Sequence, residues 1–128
     1  MNKRPTVLVP HLPGRWIRDI DKGLTFQPKV RIKQAEDYGT LKVVCYGNPW
    51  DANLPLLYEA CSALKDGDYI VRTGDLRALL HAAAFVDRLH GVISFLRYER
   101  VGDRYVTDQM RLGASIDAFQ ATQGEPTA

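Results

Sequence analysis

The chain has 128 residues, enough for one compact domain with its own core and too few for two ordinary ones. Its 45% hydrophobic and 25% charged content excludes a disordered chain, and no apolar run approaches the roughly 18 to 20 residues that a membrane-spanning helix needs. The net charge of +2 hides a division: residues 1–34 carry eight Lys or Arg against two Asp, or +6, and residues 35–128 carry nine against thirteen acids, or −4. A basic segment on a mildly acidic body points to an acidic partner such as nucleic acid, or to attraction between the two parts within the fold.

The opening "MNKRPTVLVPHLPGRW" has a Lys-Arg pair, but Pro10 and Pro13 interrupt its apolar run and no small-residue cleavage site follows, so it reads as mature protein. Thr6 to Val9 is a short β-branched run stopped by Pro10. The Pro, Gly and Asp content of "HLPGRWIRDIDKG" predicts a long irregular surface connection. "LTFQPKVRIK" alternates around Val30 and Ile32, which predicts a half-buried strand with Lys29, Arg31 and Lys33 on its outer face and Pro28 at its start or on a sheet edge. "TLKVVCYG" is nearly continuous in strand formers, the pattern of a strand covered on both faces, and ends at Gly47-Asn48-Pro49.

Leu54, Leu57, Tyr58, Cys61 and Leu64 fall at helical spacing, with Pro55 in the first turn and Asp51 or Asn53 as cap. Tyr69 to Val71 predicts a buried strand. Thr73 or Asp75 can cap the alanine-rich helix that follows, which runs to about His90 and stops at Gly91. On a helical wheel Asp87 falls near Leu76, Leu80 and Ala83, while Arg77, His81 and Arg88 share a polar stripe. "VISFLRYER" and "DRYVTDQM", separated by Val101-Gly102-Asp103, predict a hairpin. The expected fold is a small two- or three-layer α/β domain over residues 1–113, with a mainly parallel central sheet of three strands, two helices and a C-terminal antiparallel hairpin; residues 114–128 are expected to be a weakly ordered tail.

Ligands of such open sheets favour the crevice at the carboxyl ends of the strands, where "YGNPWDAN" and "RTGD" fall. Arg72, Thr73, Gly74 and Asp75 could bind an anion at a helix N-terminus, or simply cap the helix. Asp75 favours capping, since its carboxylate would occupy the favourable position and repel a phosphate; a ligand there should be neutral, hydroxyl-bearing or cationic. Trp50, beside Asn48 and Asp51, could stack on a base or anchor a protein, or fold back onto the core. Lys29, Arg31 and Lys33, with Arg15, Trp16 and Arg18, make the electrostatic case for nucleic acid, although no helix-turn-helix, RNP or zinc-finger spacing accompanies them. Lysines on an edge strand also discourage sheet-to-sheet association.

No nucleophile with a base, no paired acids and no ligand cluster stands out. The two cysteines, Cys45 and Cys61, lack CxxC or Cys/His spacing, so no metal, cofactor or disulfide framework is expected, and a reducing, cytoplasmic setting fits. The expectation is a non-enzymatic binding protein, with a nucleotide or small-ligand binder, or an enzyme, using "GNPWD" and "RTGD" as the alternative.

The segments "RPTVLVPHLPGR", "AEDYGTLKVV", "DYIVRTGD" and "HGVISFLRYERVGDRYV", spanning about residues 4–106, resemble a type of small uncharacterised protein of tailed bacteriophages. The resemblance carries no activity and no catalytic residue. It implies a product made in a bacterial cytoplasm during infection, acting on nucleic acid or a host protein. The alternative expectation is an interaction or assembly module whose edge strand or final hairpin pairs with a host or phage protein or with a second copy of the chain.

Overall fold

The computed structural model describes residues 4–47, 53–111, 113 and 120–121. A five-stranded sheet has the order β4-β1-β5-β6-β7, formed by Thr40–Val43 (β4), Thr6–Val9 (β1), Tyr69–Val71 (β5), Ile93–Glu99 (β6) and Arg104–Met110 (β7). The first four strands are parallel and β7 returns antiparallel to β6. The mainly parallel α/β fold and its C-terminal hairpin thus form as expected, with β1 as a fourth parallel strand between β4 and β5. Pairing on both edges explains the unbroken apolar run of β1, in which Val7, Leu8 and Val9 are fully buried.

Helices α1 (Leu54–Ser62) and α2 (Leu76–His90) cover one face. Asn53 caps α1 by accepting the Leu56 N–H at 3.3 Å, and Pro55 occupies the first turn, where its missing N–H costs nothing. α2 ends at Gly91, whose φ of 79° returns its N–H to the Asp87 carbonyl at 2.9 Å. Leu57, Ala60 and Cys61 of α1 and Ala82, Ala83 and Val86 of α2 pack there on Leu8, Ile70, Ile93 and Phe95. The alanines of α2 let it lie close to the sheet and to α1. Its buried stripe therefore runs through Ala78, Ala82 and Val86, leaving Leu76 and Leu80 exposed. Asp87 lies off that stripe and accepts the Gly113 N–H at 3.3 Å.

The other face carries alternate residues of the same strands, Val7, Val9, Val71, Leu96 and Tyr105, and is covered by Leu12, Ile32 and Ala35. Its cover is the connection from β1 to β4, which departs from expectation in three places. The stretch after Pro10 is not a loop throughout: Gly14–Asp19 (β2) pairs antiparallel with Gly23–Pro28 (β3) in a separate hairpin. Both its faces are largely exposed, so no apolar alternation marks β2. Pro28 ends β3 rather than starting a strand, so Lys29–Ile32 descends irregularly and Lys33 opens a 3-10 turn over Lys33–Asp37. Finally, β4 is an edge strand of alternating exposure instead of a strand covered on both faces.

Candidate functional site at the strand ends

The chain steps from β1 to β4 on one side and returns past β1 to β5, so the direction of sheet growth reverses at β1. In open α/β sheets this reversal opens a crevice at the carboxyl ends of the two strands flanking it. Here that crevice is filled. His11, in the loop after β1, is buried at 2% exposure, and its Nδ1 accepts the Asp75 N–H at 2.7 Å. Its Nε2 bonds to the Gly47 carbonyl. A carbonyl can only accept and an N–H can only donate, so the neutral Nε2–H tautomer satisfies both. One imidazole thereby ties together the loops that follow β1, β4 and β5.

Gly74 makes the approach feasible. With φ at +88°, it lies so close that a Cβ would sit 2.2 Å from the His11 carbonyl oxygen and 2.7 Å from its Nδ1. Asp75 then caps α2, as expected, accepting the Arg77 N–H at 2.8 Å. Its carboxylate is also gripped by the Arg77 guanidinium through two bonds of 3.0 and 2.8 Å. Those bonds hold the Asp75 carboxyl down at about 2, below its usual range. Gly74 and Asp75 are thus structural, and the α2 N-terminus is already occupied by an anion of the chain itself.

The open space lies one strand further along. A groove of about 700 Å³ runs between the Lys29–Arg31 segment, Arg72 and Thr73 after β5, and the β6–β7 turn. Lys29, Arg31, Arg72 and Arg100 line it against one carboxylate, Asp103. The groove brings together four of the residues anticipated from sequence: Lys29, Arg31, Arg72 and Thr73. Lys33 lies apart, beside Glu36 and Asp37, and Arg15, Trp16 and Arg18 are carried out on the β2–β3 hairpin. Asn48, Trp50 and Asp51 fall outside the described residues, as does the expected C-terminal tail apart from residues 120–121.

The groove wall is held from below. Tyr105, 4% exposed, donates its hydroxyl to the Arg31 carbonyl at 3.1 Å, and Tyr38 donates to the Tyr105 carbonyl at 2.7 Å. Burial pushes the Tyr105 phenol up to about 12, so it stays a donor. Asp103 has φ of 47°, a left-handed conformation that Asp tolerates better than most residues, in the turn after β6. Its carboxylate accepts Arg31 Nη1 at 3.2 Å, Gln34 Nε2 at 3.5 Å and the Tyr98 hydroxyl. That carboxylate holds the Tyr98 proton in place and raises its phenol above the usual value. Arg72 donates its backbone N–H to the Leu96 carbonyl at 2.9 Å, which fixes it at the rim, while its guanidinium stands 3.8 Å from Asp108. Asp108 also receives Arg97 at 3.1 Å, so one carboxylate faces two guanidinium groups. Lys29 and Arg100 pair with no described residue.

The arrangement offers fixed positive charge, a tyrosine rim and a braced backbone. His11, Tyr98, Arg100 and Asp103 were not anticipated. A histidine between two prolines just after a strand was the only local signal for the first. Among the described residues no cluster of His, Cys, Asp and Glu is fit to hold a metal ion, and no helix is long and apolar enough to cross a membrane. Comparison with protein-family models, with curated proteins and with solved structures finds no match.

Proposed function

We propose that this protein is a non-enzymatic, nucleic-acid-binding domain of phage type, working in the cytoplasm of a bacterial host and holding ligand phosphates in the groove beside β5 and β6. One observation carries the reading: Lys29, Arg31, Arg72 and Arg100, from three separate parts of the chain, line one groove in which, among the described residues, Asp103 is the one lining carboxylate, with Asp108 reaching Arg72 from 3.8 Å. Phosphates supply most of the affinity in nucleic-acid binding, and converging guanidinium and ammonium groups are what they require. The Asp75 carboxylate at the α2 N-terminus keeps phosphate away from the alternative anion site, so the groove is where such a ligand goes.

Fluorescence anisotropy with a labelled single-stranded oligonucleotide across a salt series tests this. If the groove neutralises about three phosphates, log K falls against log salt with slope about −2, a loss of roughly 20-fold from about 50 to about 200 mM. Binding that is absent, or indifferent to salt, overturns the proposal.

A second reading is an interaction module for a host or phage protein, or for another copy of the chain. It is favoured by an apolar groove of about 590 Å³ between α2 and the β6–β7 hairpin, lined by Leu80, Phe95 and Met110. Sedimentation velocity and host-lysate pull-down address it; a monomer that captures nothing counts against it.

A further inference from the structure

The β2–β3 hairpin carries a feature that the groove does not use. Trp16 of β2, Phe26 of β3 and Tyr46 after β4 form a triangle of rings with centroids 5.0 Å (Trp16–Phe26), 5.0 Å (Phe26–Tyr46) and 5.7 Å (Trp16–Tyr46) apart. Phe26 is the inner member and packs on the core beneath. Trp16 and Tyr46 remain 51% and 47% exposed. Two large rings held in place by a third, yet half open to water, make a rigid platform with little left to order on binding.

Charge around the platform favours an anionic occupant. Trp16 pairs with Phe26 and Arg18 with Leu24, so Arg18 emerges on the same hairpin face as the rings, because facing pairs two residues apart point the same way. The hairpin's Asp19 belongs to the opposite face, where it accepts the Asp21 N–H at 2.9 Å. Arg18 pairs with no described carboxylate, and Arg15 lies on the opposite face with Asp19. The platform and the groove are also close along the chain. Lys29 is three residues beyond Phe26, about 10 Å at the rise of an extended chain, and its N–H is tied to the Pro13 carbonyl at the hairpin base at 2.8 Å.

We infer that Trp16, supported by Phe26 and Tyr46 and flanked by Arg18, is a stacking site for an unpaired base, so that the ligand is a single strand and not a duplex. This rests on the groove reading above, since the groove holds the strand's phosphates while the platform receives a base. A duplex keeps its base faces within its own stack and cannot offer one to Trp16; a flexible single strand can, whatever its sequence.

The test uses the full chain and three probes of about 12 nucleotides: single-stranded oligothymidine, an abasic strand of equal charge, and a duplex. Wild-type protein should prefer oligothymidine to both others. Trp16→Ala should weaken oligothymidine by about 5- to 150-fold while leaving the abasic strand within about twofold, and Trp16→Phe should restore most of the loss. A second readout does not depend on the alanine variant folding. In a Trp50→Phe background Trp16 is the sole tryptophan of the two in the chain, and oligothymidine should quench its fluorescence where the abasic strand does not. Equal affinity for oligothymidine and abasic strand, without selective quenching, overturns this inference and leaves the groove reading standing. Loss of salt-dependent binding to the abasic strand overturns both.

Discussion

Replacing Gly74 with Ala separates the close approach at the heart of the site from ordinary glycine strain. The left-handed φ of +88° costs an alanine about 1 kcal/mol or more on its own. The new Cβ would also stand 2.2 Å from a backbone oxygen of His11, which cannot rotate away, so the loops after β1 and β5 must part. Parting them stretches the 2.7 Å bond from the Asp75 N–H to His11 Nδ1 and leaves a buried imidazole nitrogen without its donor, worth roughly 1 to 3 kcal/mol. The sum is about 2 to 4 kcal/mol, a large share of the roughly 5 to 15 kcal/mol by which a domain is stable. It should lower the Tm by about 6 to 15 °C. Gly67→Ala is the control: its φ is +91°, but nothing lies within 4 Å of the added Cβ, so only the backbone term applies. Urea unfolding of both variants measures the difference directly. Equal losses would refute the argument that His11 and Gly74 lock the strand ends together.

Two further outcomes follow from the titrating groups. Asp75 has its folded carboxyl lowered to about 2 from 3.8, chiefly by the Arg77 side chain, so its contribution is complete above about pH 4 and is lost as pH falls towards 2. Urea midpoints across that range should drop less steeply in Arg77→Ala than in wild type, and parallel curves would contradict the assignment. Burial raises the Cys61 thiol to about 11, whereas Cys45 is only partly covered. A thiol reagent at mildly alkaline pH should therefore label Cys45 in the native protein and Cys61 only on unfolding; equal rates would be inconsistent with the packing of α1.

What could be read from sequence was local. The Asn53 cap with Pro55 behind it, the Asp75 start and Gly91 stop of α2, and the turn between β6 and β7 each occupy a few adjacent residues whose chemistry is self-sufficient. Strand β2 escaped because a hairpin exposed on both faces has no apolar alternation to display. The apparent strand through Val30 and Ile32 arose because both residues dip onto the core from an irregular segment, mimicking period two. The site itself is non-local. His11 acquires its role from Gly47 and Asp75, and the groove needs Tyr98, Arg100 and Asp103, about 70 positions from Lys29 and Arg31. The sequence treats Lys29, Arg31 and Lys33 as one basic stripe; the irregular segment over 29–32 and the 3-10 turn that opens at Lys33 divide them.

That division supplies the most direct test of the central claim, that the groove and not the basic segment at large holds the ligand. Lys29 lines the groove, while Lys33, four residues on, lies beside Glu36 and Asp37. Salt-dependent anisotropy titrations of Lys29→Ala and Lys33→Ala against the same single-stranded oligonucleotide compare two equal losses of charge. Lys29→Ala should weaken binding and reduce the salt slope by about 0.7, while Lys33→Ala should leave both unchanged. Equal effects from the two substitutions would contradict the claim.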